Sequence, residues 1–201
     1  MPTTITATAT ILIDPGHGGF DGGTVAVDGT NEKHLNLAIA LCLRDMMTVC
    51  GLPVSMTRVC DEALHTTDDN SIRAKKVSDM RNRLSLYDNS TAVISIHQNH
   101  FDIAKYSGSQ VFYSPNHPDS EVLASAVRDR VLTWLQPENT RELKKATDGI
   151  YLQYHTSVPS ILVECGFLSN QNELEKLKNA DYQQQMAFAI LCGYLNYANT
   201  K

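Results

Sequence analysis

The chain has 201 residues, of which 42% are hydrophobic and 19% charged, and carries a formal net charge of −5. That length suits one domain with a substantial core, and the composition excludes a disordered protein. The negative balance argues against nucleic acid as a partner, and no apolar run approaches the ~20 residues that a membrane span needs.

The opening "MPTTITATAT" lacks the basic start and apolar core of a signal peptide. It is expected to be an unstructured lead-in over residues 1–9, with a single domain over 10–201. Residues 10–13 read as a short buried strand. "NEKHLNLAIALCLRDMMTVCG" then carries Leu35, Ile39, Cys42, Met46 and Cys50 at helical spacing, with Gly51 as its stop. "LPVSMTR" reads as a second strand, residues 60–70 as polar loop, and Ile72 to Tyr87 as a helix. On that helix the basic cluster Arg73 to Lys76 reads as a solvated face. "TAVISIH" is expected as a third strand and "SGSQVFYS" as a fourth. A helix over 118–135 places Leu123, Val127, Val131 and Leu135 on one face. "GIYLQY" and "SILVEC" read as two more strands, and Tyr182 to Tyr197 as an amphipathic helix carrying Met186, Ile190 and Tyr194. Strands alternating with helices imply an α/β domain with helices on both faces of the sheet.

The five cysteines are odd in number and form no C-x-x-C pair, so neither a disulfide framework nor a cysteine-ligated metal site is expected. Cys42 and Cys192 fall within apolar helical patterns and read as small core residues.

Polar residues gather at the strand ends. His17 follows "ILI" in "ILIDPGHGGFDGG", His97 ends "TAVISIH", and Glu164 ends "SILVEC". Open α/β sheets place ligands outside the carboxyl ends of their strands, so these three side chains are expected to converge. Glu32 opens the helix after the glycine loop, where a carboxylate suits the helix dipole. His34 lies two residues on and is the better zinc ligand by chemistry. Residues two apart on a helix do not share a face, so only one of them points at His17. Two imidazoles and a carboxylate are the ligand set of a catalytic zinc site, and a second carboxylate is the general base such a site needs. Gly16, Gly18 and Gly19 are expected to supply backbone freedom and clearance beside His17.

"DPGHGG", then "NEK", "SIHQN" and "VPSILVECGFLSN", in that order and spacing, resemble the zinc-dependent N-acetylmuramoyl-L-alanine amidases, peptidoglycan hydrolases of the amidase 3 type. The resemblance runs from about Ile11 to Tyr197. It implies a three-layer α/β/α fold with a central mixed, mostly parallel sheet of about six strands. It also implies one zinc ion per chain on His17, Glu32 and His97, Glu32 being preferred to His34, with Glu164 as the catalytic glutamate. The implied reaction is hydrolysis of the amide between N-acetylmuramic acid and the L-alanine of the stem peptide.

"IRAKKVSDMRNRL", "SIHQNHF" and "VECGFLSN" further resemble the spore-cortex amidases, whose product goes on to muramic-δ-lactam. That subgroup implies an extracytoplasmic enzyme, secreted or membrane-anchored, acting on peptidoglycan glycan strands, with a zinc-loading or regulatory protein as a possible partner. A zinc peptidase of similar fold and a non-catalytic wall-binding module are the alternatives.

Cys165 beside Glu164 is expected to face the other side of its strand and is rejected as a nucleophile. Arg73 and Arg83 read as solvated helix charges, with binding of substrate carboxylates as the other reading. Asp14 and Asn99 are candidates for orienting a ligand. His100 reads as a bystander or a substrate-facing residue.

Overall fold

A computed structural model describes residues 10–66, 68 and 71–201, so the expected lead-in over 1–9 lies outside the described residues. The elements in chain order are β1 (Ile11–Pro15), α1 (Glu32–Val49), β2 (Val54–Met56), α2 (Ile72–Asp88), β3 (Ala92–Asn99) and β4 (Gln110–Tyr113). They continue as α3 (Asp119–Trp134), β5 (Lys144–Lys145), α4 (Tyr151–His155), β6 (Ser160–Phe167), α5 (Gln171–Lys178) and α6 (Ala180–Ala198).

The strands form one six-stranded sheet in the order β2-β1-β3-β6-β4-β5. β2, β1, β3 and β6 are parallel, whereas β4 runs antiparallel to β6. The mixed, mostly parallel α/β/α architecture implied by the sequence is therefore the observed one. β1 is followed by α1 and β2 on one side, and α2 carries the chain back to β3 on the other. This makes the β1–β3 boundary the topological switch point, where open α/β sheets bind their ligands.

Side-chain alternation assigns the two faces. Ile11, Ile13, Ile94, Ile96, Ile161, Val163 and Cys165 pack with α1, α3, α5 and α6 in the larger core. Leu12 and Val93 point the other way, into a smaller cluster with Tyr87 and Leu84 of α2 and Leu152 of α4. The registers Leu12↔Val93, Asp14↔Ser95 and His97↔Glu164 carry this second face toward the strand ends. Sequence period 2 thus aims Asp14, His97 and Glu164 to the side occupied by α2.

Several local expectations are corrected. "GIYLQY" alternates apolar and polar residues like a strand, yet Tyr151–His155 is one helical turn. The position beside β4 is taken by Lys144–Lys145, and buried Gln153 links the turn to β6 by accepting from Ser160 Oγ and donating to the Ile161 carbonyl. Five residues of alternation cannot separate the two periods. Cys50, expected on the apolar helical face, is exposed at the end of α1, where Gly51 adopts φ +75° and stops the helix. Cys42 and Cys192 are partly buried rather than core residues. α5, not expected from the sequence, is capped by Asn170, whose side chain accepts from the Asn172 and Glu173 amides.

Candidate metal centre

β1 ends at Pro15, and the turn after it is held by the Gly16 amide donating to the Ile96 carbonyl. His17 adopts φ +62°, in the left-handed region that ordinary residues avoid. This turn swings its imidazole over the end of β3, where its ring centroid lies 5.0 Å from that of His97. Gly16 is glycine for want of space: a Cβ there would fall 2.1 Å from His97 Nε2. Gly18 and Gly19 follow with φ of +135° and +55°.

Glu32, the first residue of α1, is buried between the two imidazoles. Its Oε2 lies 3.3 Å from His17 Nε2, and its Oε1 lies 3.0 Å from His97 Nδ1. The Thr24 amide donates to Oε2 at 2.9 Å, while the Gln98 amide and Asn36 Nδ2 donate to Oε1 at 3.1 and 3.2 Å. Ligand atoms of His17, Glu32 and His97 all lie within 4.8 Å of one another. His34, the alternative to Glu32, is exposed and faces Asp61 at 3.6 Å.

This donor set fits a borderline-soft divalent ion such as zinc, which takes imidazole nitrogen and carboxylate oxygen together. His17 Nδ1 is engaged by Asp21 Oδ2 at 3.0 Å, leaving Nε2 directed at the cluster. Lys76 Nζ holds the other oxygen of Asp21 at 3.1 Å. Asp21 was not read from the sequence; its signal was only its place in the same glycine-rich loop.

The charges are strongly coupled. Burial works against ionisation of Glu32, yet His17 and His97 hold its carboxyl far below the usual range. Burial would lower His17, but Asp21 and Glu32 push it up to about 9. Glu164 lies across from His97 in the β3–β6 register. Burial raises its carboxyl to about 7 against the opposing pull of His97. Its Oε2 is buried and accepts no hydrogen bond, so this group is poised to exchange a proton near neutrality.

These four side chains line one pocket of about 380 Å³ together with Asp21, Thr24, Lys76, Asn99 and His100. Asn99 Oδ1 accepts from the His100 amide instead of orienting a ligand. Cys165 is buried on the opposite face with its thiol on the Val163 carbonyl, and burial pushes its pKa up, so it offers no nucleophile.

Two arginines support the loop from beneath, and neither role is legible in the sequence pattern. Arg83, read as a solvated charge, is buried. Its Nη1 reaches Asp14 Oδ1 at 2.5 Å and the Pro15 carbonyl at 3.1 Å, its Nη2 the His17 carbonyl at 2.8 Å, and its Nε Asp79 at 2.7 Å. Tyr87, Thr57 and Ser95 complete the shell of Asp14, which touches none of the three candidate ligands. Burial would raise Asp14, but Arg83 and the Tyr87 and Thr57 hydroxyls hold it down at about 2. Arg58, also buried, donates to the carbonyls of Pro15, Gly16, Lys33 and Cys60. Arg73 is exposed, as expected.

Residues 11–196 match the family model described as N-acetylmuramoyl-L-alanine amidase. The chain is 37% identical over 193 residues to the germination-specific N-acetylmuramoyl-L-alanine amidase of Bacillus subtilis, covering 95% of this chain and 80% of that protein. Among solved structures, the CwlD amidase of Clostridioides difficile in complex with the GerS lipoprotein superposes with a TM-score of 0.92. It is 36% identical, with 96% of this chain and 100% of that one covered. An N-acetylmuramoyl-L-alanine amidase from Clostridium difficile 630 superposes with a TM-score of 0.82 at 28% identity, over 96% of this chain and 98% of that one.

Proposed function

We propose, for this chain, which belongs to the N-acetylmuramoyl-L-alanine amidase family, that His17, Glu32 and His97 hold one zinc ion and that Glu164 is the catalytic acid and base. The reaction is hydrolysis of the amide joining N-acetylmuramic acid to L-alanine. One observation carries the assignment: two imidazoles and a carboxylate close on one point beside Glu164, whose Oε2 is buried and has no hydrogen-bond partner among the described residues. Membership of the family sets aside the zinc peptidase and the non-catalytic wall module.

Zinc in such a site acidifies water and polarises a carbonyl. Asp21 fixes the His17 tautomer by accepting from Nδ1. The Thr24 and Gln98 amides and Asn36 keep Glu32 ionised and oriented. Glu164 takes a proton from the attacking water as its oxygen bonds to the lactyl carbonyl carbon. The same carboxyl then delivers that proton to the alanine nitrogen as the C–N bond breaks. The products are the free lactyl carboxylate of muramic acid and a peptide with a new N-terminal alanine.

The 37% identity to a germination-specific amidase supports action on spore cortex, with muramic-δ-lactam arising from the freed muramic acid. An extracytoplasmic location follows from that substrate. The CwlD structure was determined with a lipoprotein bound, which supports a protein partner for this chain as well. Metal analysis and a muropeptide digest of Glu164→Gln test the assignment. One zinc per chain is expected to remain while alanine release falls ~10²–10⁴-fold; turnover at the wild-type rate would overturn the role of Glu164.

A further inference from the structure

Beside the catalytic pocket lies a second groove of about 300 Å³, lined by Lys76, Val77, Met80 and Arg81 of α2 and by Tyr151 of α4. Lys76 lines both concavities, so the groove continues the pocket. Lys76–Met80 and Val77–Arg81 are i,i+4 pairs and form one stripe along α2. The wall is largely carbon: Val77 and Tyr151 are 43% and 39% exposed. Cations stand along it. Lys76 pairs with Asp21, and Arg81 has no carboxylate partner among the described residues.

We infer that the stem peptide of the substrate leaves the scissile amide along this groove, its free carboxylates meeting Lys76 and Arg81 and its aliphatic parts lying on Val77, Met80 and Tyr151. The inference rests on the amidase reading of the adjoining pocket. Asp21 and Glu32 of that pocket are engaged by His17, His97 and Lys76, whereas Arg81 of α2, with no carboxylate partner among the described residues, stands beside it to meet an anionic group. Lys76 and Arg81 of α2 both line the groove. The groove therefore offers two cations beside apolar side chains to a peptide that carries free carboxylates. A stem peptide supplies such groups, because a glutamate joined through its side chain keeps its α-carboxylate free.

Arg81 is the cleaner probe, since Lys76 also touches Asp21. Two muramoyl peptides are compared on the zinc-loaded protein, one with the second residue as free acid and one with it amidated. The wild type is expected to show a KM for the acid lower by roughly fivefold, the scale of one partly exposed ion pair. Arg81→Gln is expected to remove that preference, and Tyr151→Ala to raise KM for both peptides. A preference that survives Arg81→Gln, or none in the wild type, overturns the inference. A loss that affects both peptides alike and grows with glycan length would give the groove to sugar and overturn it too. If neither peptide is cleaved, the amidase reading fails. Calorimetric binding of acid and amide forms to Glu164→Gln then decides the groove: a difference abolished by adding Arg81→Gln upholds it, and one retained overturns it.

Discussion

Arg83 and Asp14 form an ion pair at 2.5 Å that is sealed from solvent on both sides, with exposures of 1% each. Asp14 belongs to the strand that ends in the His17 loop, and Arg83 also carries the His17 carbonyl. The pair therefore anchors the loop that presents the first candidate ligand.

Removing one partner leaves a buried charge without compensation. Arg83→Met is expected to cost about 3–5 kcal/mol in chemical denaturation. Adding Asp14→Asn should recover part of that loss, because the two sites are coupled. Strict additivity of the two substitutions would show that the pair does not act as a unit.

The same carboxylate sets an acid limit. Asp14 is held at about 2, below its ordinary value of 3.8. A depressed carboxyl contributes stability that is fully present above the unfolded value and is lost as pH falls through the folded one. Unfolding followed by circular dichroism should therefore steepen between pH ~4 and ~2. Asp14→Asn, already weakened at neutral pH, should show a shallower slope there. Equal slopes would place the acid sensitivity elsewhere.

Asp21 holds Nδ1 of His17, one of the three proposed zinc ligands. Asp21→Asn is expected to lower zinc affinity ~10–100-fold in competition with a chelator, while denaturation stays near the wild type. Unchanged affinity would remove Asp21 from the metal's support.

Much of this was legible in the sequence where one physical signal dominated. Leu35 and Ile39 fixed the inward face of α1, and "TAVISIH" announced β3 with His97 at its end. His17, Glu32, His97 and Glu164, picked out as a group, do come together. The failures share a cause, since they depend on partners distant along the chain. Arg83 looks solvated on a helix of mixed polarity until Asp14 arrives from 69 residues away. Arg58 holds only carbonyls, which no side-chain pattern reports. "GIYLQY" was read by its local alternation, whereas its conformation follows from Gln153 meeting β6 and from Lys144–Lys145 occupying the sheet position.

The topological switch between β1 and β3 has a further effect on the free energy of the whole chain. It brings together groups far apart in sequence: Glu32 and His97 are separated by 65 residues. In the unfolded chain an ion bridging them must close that loop against its entropy, a cost the folded sheet has already absorbed. With the proposed ligand set, metal would be bound far more weakly by the unfolded state, so free zinc would act as a thermodynamic clasp. Each tenfold rise in its concentration above Kd would then add about 1.4 kcal/mol to the stability of the native sheet, which thermal unfolding at graded zinc measures.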